Sequence, residues 1–286
     1  MAELIDGKAI SQSIKDEIKE KTAKLGEKGI KPCLAVILCG DDPASTVYVA
    51  NKKKACEYCG FDSVSLELPA GTTQEELLDR IKELNEDDKV NGILVQLPLP
   101  SHISEDAVIA AIAPEKDVDG FNAVSVGNLL IGRPGFVSCT PAGVIQLLKR
   151  SGVEIAGKEC VVIGRSNIVG KPMSVLMLRE NATVTTCHSK TKNLKEVCKR
   201  ADILIVAIGK PKMIDASYVK EGAVVIDVDI HRLEGKKLCG DVDFDSVEKV
   251  ASKITPVPGG VGPMTIAMLM NNCLEGCMRQ NGLLNE

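Results

Sequence analysis

Four polar side chains stand where apolar or turn residues would otherwise be expected: Tyr48, Lys52, Gln96 and Asp119. On a helix, Tyr48, Lys52, Ala55 and Cys59 recur at intervals of four, three and four and so share one face. Lys53 and Lys54 point elsewhere, about 100° and 200° round the axis. Lys52 therefore falls on an apolar stripe, where an unpaired ammonium is costly and its pKa tends to fall. A desolvated, partly neutral lysine can carry a proton in a reaction. The same spacing also allows a lysine that snorkels from a boundary position. Gln96 precedes Leu97-Pro-Leu-Pro100, whose prolines cannot continue a strand ladder. Asp119 belongs to Lys116-Asp-Val-Asp-Gly120, whose acids can bind a ligand or simply shape a turn. Pro256-Val-Pro-Gly-Gly-Val-Gly-Pro263 is a rigid loop whose glycines admit a ligand close to the backbone.

A second constellation suits a dinucleotide. The run Cys160-Val-Val-Ile ends at Gly164, a short turn follows, and Lys171-Pro172 opens a helical pattern. In such a strand–turn–helix, backbone N–H groups and a helix N-terminus hold a pyrophosphate. The usual Gly-x-Gly-x-x-Gly is altered: Ser166 replaces the middle glycine and Gly170 comes one residue late. An NAD site carries an acid about 20 residues after the first glycine. Here the second strand ends in Cys187-His188-Ser189-Lys190, and Arg165 lies in the turn itself. Cations and a hydroxyl suit a 2′-phosphate, so the residues favour NADP.

Elements must exist to position these groups. Pro32–Gly40, Ser63–Leu68 and Val90–Leu97 read as strands, with helices near Thr73–Glu86 and Glu105–Ala113. The helix of Tyr48 and Lys52 lies between the first two strands, capped by Asp42, with Pro43 in its first turn and Gly60 closing it. It begins at the carboxyl end of a strand, where open α/β sheets gather ligands, so Lys52 and Gln96 are expected to face one cleft. After Gly164, the β-branched runs Ala182–Cys187, Asp202–Gly209 and Ala223–Val228 read as strands buried on both faces. Helical patterns at Leu194–Arg200 and Ala216–Lys220 separate them, and together they predict a doubly wound sheet.

Composition sets the frame. A chain of 286 residues suggests about two domains. Its beginning, Met-Ala-Glu-Leu-Ile-Asp, lacks a signal-peptide pattern, and no apolar run approaches the roughly 20 residues of a membrane span. A net charge of −4 and 2% aromatic content offer neither a basic face nor stacking platforms for nucleic acid. The eleven cysteines are scattered, which fits a reducing, cytoplasmic setting. Only Cys56-Glu-Tyr-Cys59 has metal or redox spacing, and no histidine spacing completes a zinc site, so no metal is expected.

Taken together, Tyr48-x-x-x-Lys52, Val95-Gln-Leu-Pro-Leu-Pro100, Lys116-Asp-Val-Asp-Gly120, Gly164-Arg-Ser-x-Ile-Val-Gly-Lys-Pro172, Gly240-Asp-Val-Asp-Phe244 and Pro256-Val-Pro-Gly-Gly-Val-Gly-Pro-Met-Thr265 occur in one order along nearly the whole chain. That order resembles the bifunctional methylenetetrahydrofolate dehydrogenase/methenyltetrahydrofolate cyclohydrolase family. The resemblance implies two α/β domains flanking a cleft, NADP as cofactor, tetrahydrofolate derivatives as substrates, and a homodimer. It implies a folate-binding catalytic domain over 1–139 plus a returning helix over 264–286, and a Rossmann-type NAD(P)-binding domain over 140–263. It makes Lys52 the catalytic lysine, Gln96 its hydrogen-bonding partner and Tyr48 the ring that orients the folate. Asp119 would bind the pterin, with Pro258, Gly259 and Gly260 also at the substrate. Thr140, Gly164, Arg165, Ser166, Ile168, Gly170, Ser189, Ala207, Gly209 and Ile230 would line the cofactor, Arg165 and Ser189 at the 2′-phosphate. Three residues depart from the family pattern: Asn122 where His is usual, Asp229 where Gly is usual, and His231 where Asn is usual. A carboxylate at Asp229, expected to end the fourth strand of the cofactor domain, would weaken dinucleotide binding.

Two other readings are weaker. Tyr-x-x-x-Lys is also the spacing of short-chain dehydrogenases, but there it follows the cofactor turn, whereas here it precedes Gly164 by more than a hundred residues. A catalytically silent NADP-binding scaffold would have no need of Tyr48, Lys52, Gln96 and Asp119 together.

Overall fold

A computed structural model of the chain describes residues 1–233 and 238–284. In chain order it begins with a strand β1 (Glu3–Leu4), helix α1 (Gly7–Gly26), strand β2 (Cys33–Cys39), helix α2 (Pro43–Cys59) and strand β3 (Asp62–Leu68). Helix α3 (Gln74–Glu86), strand β4 (Gly92–Val95) and helices α4 (Glu105–Ala111), α5 (Ala123–Ile131) and α6 (Cys139–Arg150) follow. Then come β5 (Glu159–Ile163), α7 (Gly170–Arg179), β6 (Thr183–Cys187), α8 (Leu194–Cys198), β7 (Ile203–Val206) and β8 (Val224–Asp227). The last are β9 (His231–Arg232), β10 (Leu238–Cys239), α9 (Phe244–Val247), β11 (Lys253–Ile254) and α10 (Val261–Gln280). The chain divides into two compact units, one of Ser13–Val137 with Ile266 onward, the other of Met1–Gln12 with Ser138–Thr265.

The first unit holds a parallel three-stranded sheet in the order β3-β2-β4. The central strand, Cys-Leu-Ala-Val-Ile-Leu-Cys, is buried at every position, as its unbroken apolar run requires. Its Ala35 and Ile37 join Ile93 from β4, Leu77 and Ile81 from α3, and Val108 from α4 in one core. Helix α3 starts with a complete Thr73–Glu76 capping box. Its other end is closed from afar: Lys116 is buried and donates Nζ to the carbonyls of Leu84, Asn85 and Asp87 at 3.0, 2.8 and 2.8 Å. The Asp87 carbonyl also accepts the Val90 N–H at 3.0 Å, and all three carbonyls converge on one ammonium at the end of the helix where the dipole favours a cation. Replacing Lys116 with methionine is expected to destabilise the protein by about 1.5–3 kcal/mol. Thermal or denaturant unfolding checks this, and an unchanged midpoint would show that water caps the helix instead.

The second unit carries a six-stranded sheet, β1-β11-β8-β7-β5-β6, with every pairing parallel. Strand order reverses beside β5, which makes the turn after it the topological switch point. Its core joins Val161 and Ile163 of β5 to Leu204, Val206 and Val225 on neighbouring strands. The four longer strands are those expected. The two-residue strands β1 and β11, and the β9–β10 hairpin, are too short for hydrophobic periodicity to reveal. Because β1 pairs with β11, the first twelve residues group with this unit rather than with the rest of 1–139. Three further expectations change. Ala216–Lys220 is only a 3₁₀ turn over Ala216–Tyr218, squeezed between Ile214, which bridges to Val242, and the turn at Gly222. Strand β6 ends the sheet and keeps exposed residues instead of being buried on both faces. Helix α10 stops at Gln280, and residues 285–286 of the expected 264–286 segment lie outside the described residues. Among the described residues, no helix is long and apolar enough to cross a membrane.

Candidate active site

Helix α2 is held at both ends as its sequence demands. Asp42 accepts the Ser45 N–H at 2.8 Å, and Gly60 adopts a left-handed φ of 80° to close the last turn. The buried stripe runs through Val49, Ala55, Cys56 and Cys59, while Tyr48 is 53% exposed. Tyr48 therefore sits at the border of the apolar face rather than on it, because the core-facing direction of the helix passes through Val49 and Cys56. Lys52 is half-buried at that border, and its Nζ donates to Gln96 Oε1 at 2.6 Å.

Gln96 lies one residue beyond β4 rather than at its end. Its backbone N–H donates to Ile37 at 2.8 Å and its side-chain Nε2 to the Leu97 carbonyl at 2.6 Å. With the amide nitrogen so engaged, only Oε1 faces the lysine. The two acids of Lys116–Gly120 divide the readings open to them. Asp117 is buried and accepts from Phe121 N, Asn122 N and Ser125 Oγ at 3.3, 2.8 and 2.9 Å, so it is the turn residue. Asp119 is half-buried, and among the described residues no donor hydrogen-bonds its carboxylate. Burial pushes its pKa up to about 6; the Lys52 charge opposes that rise and Asp117 adds to it. A lysine, a glutamine, a carboxyl and a phenol thus gather in the first unit around the carboxyl ends of β2 and β4.

Asn122, one of the departures, has a structural task. Its Oδ1 caps α5 through the Val124 N–H at 2.9 Å, and its Nδ2 reaches the Ile112 carbonyl at 3.1 Å. Cys56 and Cys59 are buried, and burial pushes their thiols up to about 12 and about 11, so they act as small hydrophobes.

In the second unit, the turn after β5 explains its altered glycine pattern. Gly164 has φ 134°, and a Cβ there would meet the Ala207 carbonyl oxygen at 2.2 Å. A Cβ on Gly170 would lie 2.4 Å from the Gly164 backbone. Ser166 takes the place of a glycine because its Oγ accepts from Val169 N and Gly170 N at 3.1 and 3.3 Å, bracing the start of α7. A cavity of about 300 Å³ opens beside this turn, with Gly164, Arg165, Ser166, Ser189 and Ala207 in its walls. His188 and Lys210 also face it, and Leu194 and Met213 supply apolar surface.

Of the remaining expected cofactor residues, Ile168 lies in this turn, Thr140 in the first turn of α6, and Ile230 on the loop after β8. The Ile168 carbonyl accepts from Ser138 Oγ at 2.6 Å, and Thr140 Oγ1 lies 3.1 Å from Thr265 Oγ1. Ile230 is 43% exposed, and a Cβ on Gly262 would come within 3.1 Å of it. Pro258, Gly259 and Gly260 also belong to this unit. At Gly260 the close neighbour is the chain itself: a Cβ on Gly7 would lie 1.8 Å from the Gly260 carbonyl oxygen.

Asp241 and Asp227 organise this side, and single-residue reading passed over them. Asp241 is fully buried and accepts from the N–H groups of Ile208, Gly209 and Lys210 at 2.7, 3.1 and 2.6 Å. Asp227, pushed up to about 7 mainly by burial, accepts from Asp241 N and Val242 N at 2.9 and 3.0 Å. Gly240 must be glycine here, since a Cβ would fall 1.9 Å from Asp227 Oδ2. The signal was present in Gly240-Asp-Val-Asp-Phe244, but only the fold shows what the motif does. Asp229 lies two residues beyond β8 rather than at its end, accepts the Gly209 N–H at 2.9 Å, and is pushed up to about 6 by burial and by Asp241. His231 Nε2 lies 2.7 Å from Asp241 Oδ1. Two departures from the family pattern are therefore neighbours, and an imidazole accompanies the extra carboxyl.

A parallel sheet with a glycine turn at its switch point, joined to a unit that presents a lysine–glutamine pair and a carboxyl, defines a dinucleotide-dependent enzyme. The family model described as tetrahydrofolate dehydrogenase/cyclohydrolase, catalytic domain, matches residues 5–119, and the one for its NAD(P)-binding domain matches residues 138–281. The chain belongs to the tetrahydrofolate dehydrogenase/cyclohydrolase family. It is 71% identical over 279 residues to the bifunctional protein FolD of Agathobacter rectalis, covering 98% of this chain and 100% of that one. The crystal structure of the bifunctional enzyme FolD from Campylobacter jejuni is 52% identical, with a TM-score of 0.96 over 98% of this chain and 99% of that one. The Trypanosoma brucei methylenetetrahydrofolate dehydrogenase-cyclohydrolase, complexed with NADP and an inhibitor, is 43% identical, with a TM-score of 0.92 over 97% and 98%.

Proposed function

We propose that this protein oxidises methylenetetrahydrofolate to methenyltetrahydrofolate with NADP and then hydrolyses the product to formyltetrahydrofolate, one set of residues in the first unit serving both steps. The observation that carries this reading is the Lys52–Gln96 contact of 2.6 Å together with the Asp119 carboxyl, which burial pushes up to about 6 against the opposing charge of Lys52. The residues of the second unit suit the cofactor: a turn with no room for two Cβ atoms, and a cavity flanked by cations and a hydroxyl. When bound, NADP accepts the hydride removed from the methylene carbon.

Tyr48 and Asp119 orient the folate. Oxidation creates a cationic methenyl carbon and requires no proton removal from that carbon, so placement matters most. Hydrolysis does require proton transfer. Water adds to the methenyl carbon and one ring C–N bond opens, with a proton moving from the incoming water towards the departing nitrogen. Lys52 Nζ is the carrier, and Gln96 Oε1 fixes its position by accepting one of its hydrogens. Purified protein, methylenetetrahydrofolate and either dinucleotide, with methenyl and formyl products followed, test the whole reading. Failure to form either product would overturn it.

Asp119 gives a pH-dependent expectation. Its ionised carboxylate accepts the amino and ring N–H groups of the pterin, and the ionised fraction falls as pH drops through about 6. The KM for folate is therefore expected to rise below that pH, by about tenfold per unit once the carboxyl is mostly protonated. Asp119→Ala should remove this dependence and weaken folate use by about 1–3 kcal/mol while NADP still binds. Normal folate kinetics in the variant would return Asp119 to the role of a turn residue.

The eleven cysteines, buried and unbridged, support a reducing, cytoplasmic setting. The family resemblance supports a homodimer, and β6 offers a terminal strand with one unpaired edge.

A further inference from the structure

We propose that Lys210 is a specificity-determining residue that contributes a second side-chain cation, with Arg165, to recognition of the 2′-phosphate of the dinucleotide. The inference rests on reading the cavity beside Gly164 as the NADP site. Arg165, Ser189 and Lys210 line that one cavity, and they reach it from three separate loops, after β5, β6 and β7. Neither Arg165 nor Lys210 has an ion-pair partner among the described residues, so both charges remain available to a ligand. A phosphate monoester carries roughly two negative charges near neutral pH, more than a single guanidinium offsets.

The Lys210 backbone is unusually well tied for an exposed loop. Buried Asp241 accepts its N–H at 2.6 Å together with those of Ile208 and Gly209. Two residues on, Lys212 N donates to the Gly240 carbonyl at 3.0 Å, and Ile214 N to that of Asp241 at 3.0 Å. The loop after β7 is thereby fastened along one side to 240–241. The Lys210 side chain itself is exposed, and its ammonium on a four-carbon stem suits a point-charge contact with phosphate. NAD has no 2′-phosphate, so this cation discriminates between the two dinucleotides.

Calorimetric titration of the full-length protein with adenosine 2′,5′-bisphosphate and with 5′-AMP isolates that phosphate. Lys210→Gln is expected to weaken the bisphosphate by about five- to twentyfold and to leave AMP within about twofold, while Lys210→Arg keeps the preference. Lys210 is exposed, so the glutamine variant should fold, and an unchanged melting temperature verifies it. An unchanged bisphosphate affinity, or equal losses for both ligands, would overturn the role of Lys210. Wild-type protein that binds both ligands equally would instead overturn the NADP reading on which the inference rests.

Discussion

A Lys52→Met protein is expected to lose methenyltetrahydrofolate hydrolysis by about 10²–10⁴-fold, the usual loss on removal of a general acid or base. Methionine keeps an unbranched stem of similar length, so the packing at half-buried position 52 of α2 should survive. What disappears is the amine that donates to Gln96 Oε1. Dehydrogenase activity should fall less, because oxidation depends on the placement of the folate rather than on a proton carrier. The comparison of the two rates on one preparation is the decisive measurement. Wild-type hydrolysis by the variant would falsify the role of Lys52 and leave Asp119 as the next group able to move a proton.

Cofactor choice should respond to Arg165. The side chain is exposed in the turn after β5 and lines the cavity shared with Ser189, and among the described residues no acid that would favour a ribose hydroxyl lines that cavity. The wild type is expected to use NADP with higher kcat/KM than NAD. Arg165→Ala should narrow that gap by roughly tenfold to a hundredfold, the worth of one charge-assisted hydrogen bond. Steady-state kinetics with both dinucleotides check this. Equal efficiencies in the wild type, or undiminished selectivity in the variant, would sink the assignment of this turn to the 2′-phosphate.

Local chemistry was the legible part of this chain. Asp42, Pro43 and Gly60 mark the limits of α2, Thr73 marks the start of α3, and the run before Gly164 marks β5, because each signal lies within a few residues of what it controls. Lys52 and Gln96 could be placed near each other from strand ends alone, and their side chains do meet. Distant partnerships were not legible. Lys116 looks like one residue of a loop motif, yet it closes a helix whose last carbonyls lie about thirty positions earlier. Asp241 likewise satisfies N–H groups more than thirty positions away. Backbone groups advertise nothing in sequence, so a buried charge that serves them cannot be told from one that serves a ligand. Ser166 shows the converse: what looked like damage to a glycine pattern is a hydroxyl bracing the helix that the pattern introduces.

The pairing of β1 with β11 bears on how the molecule is made. Glu3 stands opposite Lys253, 250 positions later in the chain. At roughly 5–20 residues per second, a ribosome needs on the order of ten seconds to a minute to cover that interval. Through all of it Leu4 and Ile5 have no sheet to join, although Ile5 ends buried with its N–H on the Ile254 carbonyl at 2.9 Å. The edge of the sheet beyond β8 stays open only until Lys253 and Ile254 follow it in the chain. Contacts this remote in sequence are slow to close, so the nucleotide-binding sheet should grow from β5 outward and receive its oldest strand last. A fusion that restrains the first five residues would then delay completion of the sheet after synthesis ends, even though those residues lie far along the chain from Lys52, Gln96 and Asp119.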